Sequence, residues 1–291
     1  MNPLEELIAL LDLERLEVNL FRGVSWKDDR PRVFGGQVAG QALVAASRTV
    51  ECAGDHRNVH SLHAYFLRPG DPTVPIVYDV DRIRDGKSFT TRRVVAIQHG
   101  EAIFNLQASF HVPESGLDHQ VAMPEAPDPE SLPRQDEMEP PTPGRLWERQ
   151  PVDIRHVGGP PWDRVQSDTA RQLVWIRADG TLPDDPVLHT CIVAYASDYT
   201  LLGSALVPHG VSYFRNDVMM ASLDHAMWFH RPFRADEWLL YSQMSPSASG
   251  GRGLAYGGIF RQDGALAVSV VQEGLIRPIT DQSRVSRMYR A

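Results

Sequence analysis

The chain has 291 residues, with 29 Lys+Arg against 37 Asp+Glu, a net charge of −8 and a pI near 5.7. A chain of this length buries a substantial core and holds one large domain or two modest ones. Its acidic balance argues against a general nucleic-acid binder, which carries a basic stripe. Only Lys27 and Lys87 are lysines, and the 27 other basic residues are arginines, so a local cationic pocket for an anionic ligand is still open. No apolar run approaches the ~18 residues of a membrane span. The N-terminus, with Glu5 and Glu6, lacks the cationic start of a secretory signal, and the final Met-Tyr-Arg-Ala is not a peroxisomal address. A cytoplasmic protein is expected. Cys52 and Cys191 make neither a CxxC pair nor a zinc pattern, so free thiols and no metal are expected.

In chain order, residues Pro3 to Leu11 predict a helix capped by Asn2, with Pro3 in the first turn and Glu5 and Glu6 at the positive dipole end. Gly36 to Val50 is small and apolar nearly all round (Val38, Ala39, Ala42, Leu43, Ala45, Ala46), the pattern of a helix enclosed by protein. Strands of alternating or β-branched character follow at 59–67, 74–83, 88–98 and 102–111, with Asp85-Gly86 as a hairpin turn. From Pro113 to Pro151 lie nine of the 22 prolines, too dense for a helix or a central strand. This acidic stretch reads as a linker that Leu146 and Trp147 could anchor. The second half then repeats the order, with a helix from Pro186 to about Leu206 and strands at 218–230, 237–245, 252–261 and 265–276.

The two halves also share sequence. Ser-Leu-His-Ala-Tyr-Phe-Leu-Arg-Pro (61–69) resembles Ser-Leu-Asp-His-Ala-Met-Trp-Phe-His-Arg-Pro (222–232), with the Arg-Pro pairs 163 apart. Gln98-His99-Gly100 and Gln262-Asp263-Gly264 are 164 apart. A near-constant offset across some 40 residues marks a duplicated unit. A buried helix followed by an antiparallel meander, twice over, predicts an α+β fold with each sheet wrapped around its helix. The expected division is 1–112, a linker at 113–151, and 152–291.

Common catalytic signatures are absent. There is no GxSxG elbow, Walker A loop or HExxH, and Gly250, Gly251 and Gly253 do not complete GxGxxG. His60 and His63 have a metal-like spacing, but i and i+3 on a strand face opposite sides. His63, His225 and His230 read as core or interface histidines.

Five strings carry a family resemblance: Phe-Gly-Gly-Gln-Val-Ala-Gly-Gln-Ala-Leu (34–43), His-Ser-Leu-His-Ala-Tyr-Phe-Leu-Arg-Pro-Gly-Asp (60–71), Tyr-Ala-Ser-Asp (195–198), Asp-His-Ala-Met-Trp-Phe-His-Arg-Pro-Phe (224–233) and Val-Gln-Glu-Gly (271–274). In order and across nearly the whole chain, they resemble the acyl-CoA thioesterase II (TesB-like) family. That resemblance implies a double hotdog fold, an acyl-CoA substrate and no cofactor. It also implies a catalytic trio that holds a hydrolytic water: Asp198, Ser222 where the family usually has Thr, and Gln272. Asp198 would act as the general base, and the two others would orient the water. Loss of the Thr methyl keeps the hydroxyl and frees its rotamer. Gly35-Gly36-Gln37 is a candidate for oxyanion N–H donors, or else for tight helix–sheet packing.

Taken alone, each trio residue has a plainer role. Asp198 could cap a second helical segment from Tyr199, Ser222 could be an ordinary strand hydroxyl, and Gln272 could satisfy backbone groups. His60 reads as structural. Two other functions compete: a non-catalytic acyl-CoA binder or assembly subunit, and an enoyl-CoA hydratase, whose Asp–His pair Asp224-His225 would have to supply from opposite strand faces. Exposed sheet surface predicts a homodimer or larger symmetric assembly.

Overall fold

The computed structural model describes residues 2–26, 31–50, 56–138, 150–163 and 165–280. Cys52, Leu146, Trp147 and the C-terminal Met-Tyr-Arg-Ala lie outside the described residues. Helix α1 (Pro3–Leu11) begins as its sequence dictates. Asn2 accepts the Glu5 N–H at 2.8 Å, and the Glu5 carboxylate accepts the Asn2 N–H at 3.1 Å, a capping box. Two short strands then appear that hydrophobic alternation did not predict, β1 (Glu14–Glu17) and β2 (Leu20–Gly23). β1 reads Glu-Arg-Leu-Glu, is exposed throughout and forms one edge of the sheet, where charge discourages further pairing.

The first half continues with α2 (Gly35–Arg48), β3 (Asn58–Phe66), β4 (Ile76–Asp85), β5 (Phe89–Gln98) and β6 (Glu101–His111). The second holds β7 (Val152–His156), β8 (Arg171–Ala178), α3 (Pro186–Ser197), β9 (Val218–Ser222), β10 (Asp224–Phe229), β11 (Leu239–Ser249), β12 (Arg252–Arg261) and β13 (Leu266–Pro278). The meanders fall where the sequence put them, except that 218–230 splits into two strands at Leu223. All pairings are antiparallel and build one thirteen-stranded sheet in the order β1-β2-β4-β5-β6-β3-β10-β13-β12-β11-β8-β7, with β9 on β13. The sheet encloses α2 and α3, which are buried nearly all round.

The repeat defines a local two-fold axis. At the β3–β10 seam His63 faces Ala226, and these two residues are also 163 apart, so the axis runs through that pair. In the helix layer a Cβ on Gly40 would come within 3.2 Å of the Cys191 carbonyl, while one on Gly36 would lie 2.2 Å from the Tyr195 carbonyl. Residue numbers therefore rise in α2 as they fall in α3: the helices cross antiparallel at backbone-contact distance. Even a β-bulge is repeated, between Ala96 and Ile97 and again between Ile259 and Phe260.

The linker does more than connect. The outer face of the second half's sheet carries an apolar patch of Trp175, Trp238, Leu240 and Phe260, on which Met123, Ala126 and Leu132 pack. Trp175 Nε1 donates to the Pro127 carbonyl (2.9 Å) and Trp238 Nε1 to Glu130 (2.9 Å). The guanidinium groups of Arg155 and Arg177 lie over the Trp238 ring at 4.8 and 4.2 Å. The fully buried Asp153 is balanced by Arg155 (3.1 Å) and Arg134 (3.2 Å), which ties β7 to the linker. On the first half the matching outer face carries exposed Asp79, Asp81 and Arg93 beside half-buried Val77 and Ile97, the counterparts of Leu240 and Phe260.

The predicted helix from Pro186 to Leu206 is interrupted at Asp198, and a 3₁₀ segment resumes at Leu201–His209. The stretch Pro186–His209 has the length and apolarity of a membrane span (mean hydropathy 1.3), yet 78% of its most apolar window is packed inside the protein. It is the second core helix.

Gly36→Ala drives a Cβ onto a backbone oxygen that cannot swing aside. The urea midpoint is expected to fall by the equivalent of about 1–3 kcal/mol. Gly40→Ala, whose nearest contact is 3.2 Å, is expected to cost less. Equal losses at the two positions would contradict the packing described.

Candidate active site

The interruption at Asp198 is built by its neighbours. Side chains from the sheet hold the backbone on either side of it: the Ser197 carbonyl, the last of α3, accepts the Tyr241 hydroxyl (3.3 Å), and the Thr200 carbonyl accepts Gln172 Nε2 (2.8 Å) as well as the Gly203 N–H (3.0 Å). Gln243 Nε2 holds the Thr200 hydroxyl at 2.6 Å, and the Tyr199 hydroxyl donates to Gln150 Oε1 at 3.1 Å. Asp198 therefore sits on an anchored segment at the C-terminal end of α3. Opposite it is the N-terminal end of α2. A Cβ on Gly35 would lie 2.7 Å from Asp198 Oδ2, and the Gly36 N–H donates to the carboxylate. Phe34, the residue that opens α2, packs between Tyr195 and Tyr199 at ring centroid distances of 5.2 and 4.8 Å, which clamps the two helix ends together.

Strand register supplies the other two side chains. Ser222 pairs with Gly274 across β9 and β13, and Gln272 lies two residues along β13, so both face inward on one side of the sheet. Gln272 is fully buried, and its neighbour on β12 is the small Ala255. Ser222 Oγ donates to Asp198 Oδ1 at 3.0 Å and Gln272 Nε2 donates to the same oxygen at 2.5 Å. The structure thus brings together all three residues singled out in the sequence. With Oδ1 doubly engaged, Oδ2 lies against Gly35 and the Phe66 ring, both close enough to the Gly35 Cβ position (2.7 and 2.8 Å) that only glycine fits there.

Burial raises the Asp198 pKa above the usual carboxylate range. The hydrogen bonds from Gln272, Ser222 and the Gly36 N–H oppose that shift, as does the charge of Arg32. Arg32 itself is tethered through Nη2 to the Met220 carbonyl at 2.8 Å. Of the Gly35-Gly36-Gln37 N–H groups, that of Gly36 is directed at Asp198 and that of Gln37 donates to the Phe34 carbonyl (3.1 Å). Asp224 and His225 point apart. Asp224 accepts the Glu273 N–H (2.7 Å), whereas His225 is buried with its pKa pushed down to about 4. His60 bonds Ser109 (2.8 Å) within a packed group that includes Phe89 and His111.

The two-fold axis generates a second helix crossing, at the other end of the pair. There the counterpart of Asp198 is Ser47, which bonds back to the Leu43 carbonyl (2.8 Å). Pro186-Val187 stands for Gly35-Gly36, and Ala108 for Gln272. That end has neither an acid at the Asp198 position nor an amide at the Gln272 position. Sequence repetition alone did not reveal which end was furnished.

The "Acyl-CoA thioesterase" family model matches residues 161–275, and the "Acyl-CoA thioesterase N-terminal domain" model matches residues 24–111. The chain is 45% identical over 286 residues to acyl-coenzyme A thioesterase 8 of Mus musculus, a match that covers 92% of this chain and 88% of that protein. The chain belongs to the acyl-CoA thioesterase family. It is also 40% identical over 283 residues to acyl-CoA thioesterase 2 of Haemophilus influenzae, covering 94% of this chain and 98% of that one. Its fold superimposes on the crystal structure of an acyl-CoA thioesterase II, TesB2, from Mycobacterium marinum with a TM-score of 0.77 at 50% identity, over 95% of this chain and 99% of that one. This thioesterase accordingly has the double hotdog architecture that its repeat and its resemblance imply.

The raised pKa has a consequence for stability. A carboxyl whose folded pKa lies above its unfolded value contributes stability at low pH and loses it as pH rises through the folded pKa. Asp198→Asn removes the buried charge while keeping an acceptor for Ser222 and Gln272. Relative to wild type, its Tm is expected to be higher at about pH 8 than at about pH 4. A variant destabilised more at the higher pH would contradict the assigned direction.

Proposed function

We propose that this acyl-CoA thioesterase hydrolyses fatty acyl-CoA to the free fatty acid and CoA with Asp198 as the general base. The observation that carries this reading is the convergence of Ser222 and Gln272 on one oxygen of a buried carboxylate whose other oxygen carries no side-chain hydrogen bond and lies against Gly35, where a Cβ would come within 2.7 Å of it. A water seated next to Oδ2 gives up a proton to Asp198 as its oxygen attacks the thioester carbonyl. Collapse of the tetrahedral adduct expels the CoA thiolate, and the proton held on Asp198 returns to that sulfur. Ser222 and Gln272 fix the carboxylate in one orientation, so its lone pair is aimed before the substrate arrives. The raised pKa makes Asp198 a stronger base than a solvated aspartate.

The walls suit the substrate class. The Phe66 ring, beside Gly35 and Asp198 Oδ2, packs on Phe104 at 5.1 Å, so apolar surface fit for an acyl chain adjoins the carboxylate. Among the described residues no group of three or more His, Cys, Asp or Glu side chains is set to hold a metal, and the water route above needs none.

Release of CoA from acyl-CoAs of short to very long chain, followed with a thiol reagent, tests the reading. Wild type is expected to turn over at least part of the series, and Asp198→Asn to lose on the order of 10²–10⁴-fold in rate. Retained acyl-CoA binding without turnover by wild type would instead favour a non-catalytic binder.

The pH profile gives an independent check. The acid limb of kcat/KM should lie above the ~3.9 of a free Asp. Gln272→Leu, which removes a donor to the charged form, should move that limb to still higher pH. A limb unmoved by Gln272→Leu would assign the titration to another group.

A further inference from the structure

His225 is used by nothing in the scheme above, yet it is almost fully buried beside the trio. Its Nε2 lies 2.8 Å from Ser197 Oγ, and Ser197 is the residue preceding Asp198. The Ser197 hydroxyl also donates to the Ala194 carbonyl at 2.9 Å. We assign the one Ser197 hydrogen to the Ala194 carbonyl, so that Ser197 Oγ accepts from His225 and the imidazole carries its proton on Nε2. Nδ1 is then a bare lone pair. Burial keeps the ring neutral near pH 7, so that lone pair persists.

A second unpartnered acceptor lies beside it. Continuing the Ala226–Val271 pairing by one residue sets His225 opposite Gln272, and both side chains face inward. Directly opposed residues hold their Cβ atoms about 4.5–5.5 Å apart. Gln272 spends Nε2 on Asp198, while its Oε1 is buried; among the described residues neither Oε1 nor His225 Nδ1 has a hydrogen-bond partner. Two acceptors cannot bond each other. One water, with its two hydrogens, satisfies both.

We propose that a buried water bridges His225 Nδ1 and Gln272 Oε1, making His225 a positioning residue that keeps the Gln272 amide turned with its N–H toward Asp198. If the Gln272 amide flips, it aims a carbonyl oxygen at the carboxylate and loses its hold. Through Ser197 the same imidazole also steadies the backbone that carries Asp198. This inference rests on the proposed role of the Asp198 trio.

The test uses three full-length variants, assayed for CoA release and for Tm. His225→Gln extends an amide to the Nε2 position and keeps the Ser197 contact but lacks the Nδ1 acceptor. His225→Asn puts an amide at the Nδ1 position, where it can hold the water. Asp198→Asn reports on the trio separately. His225→Gln is expected to lower kcat about tenfold, with KM and Tm near wild type, as misplacement of a catalytic group does. His225→Asn is expected to recover more of kcat than His225→Gln. Wild-type kcat in His225→Gln overturns the proposal if Asp198→Asn is inactive, and so does activity that falls in step with Tm in both His225 variants. A high-resolution crystal structure of the wild-type enzyme decides the matter if the variants fail to fold or Asp198→Asn stays active. A water within about 2.7–3.2 Å of both atoms supports the bridge, and a direct contact or dry gap between them overturns it.

Discussion

The fold depends on the backbone-close antiparallel crossing of α2 and α3. Gly35, Gly36 and Gly40 remove the side chains that would hold the helices apart, and the crossing sets the C-terminal end of one helix against the N-terminal end of the other. A carboxylate at that junction meets an N–H group at the positive end of α2, which an isolated strand or loop does not offer. The surrounding sheet then closes over both helices and delivers Ser222 and Gln272 through its register. The geometry of the proposed trio is in this sense a by-product of helix packing.

Asp198 is held under opposing forces. Burial disfavours its charge; three hydrogen-bond donors and the nearby Arg32 favour it. The balance leaves a carboxylate that is more basic than one in water and rigid enough to aim. Duplication makes the arrangement possible twice, but only one junction keeps the glycines and the acid. At the other, the Pro186-Val187 pair fills the space and starts its helix efficiently, with Asp185 as cap.

Much of the fold was legible because the signals were strong and local. The 163-residue offset located the repeat, and the structure runs a two-fold axis through His63 and Ala226, two residues separated by that same offset. What sequence missed has physical causes. β1 is too charged to alternate, and β7 buries Asp153, Arg155 and His156 against the linker, so its polar residues hide a core strand. Where the Pro-rich linker packs was not legible, because its partners, Trp175 and Trp238, lie far along the chain. The break at Asp198 arises from Gln172, Tyr241 and Gln243, none of them local. For the trio, separations of 24 and 50 residues carry no geometric information. Resemblance named the three residues, and strand register explains why they meet.

The central claim is that one buried carboxylate, Asp198, sets the reaction's dependence on protons. Carbon-13 NMR of Asp-labelled enzyme, with the Asp198 signal assigned by its loss in Asp198→Asn, measures that pKa directly. The account requires a value raised above the usual aspartate range and coincident with the acid limb of kcat/KM. An Asp198 that titrates near the ~3.9 of a solvated aspartate, apart from the limb that governs activity, would contradict it.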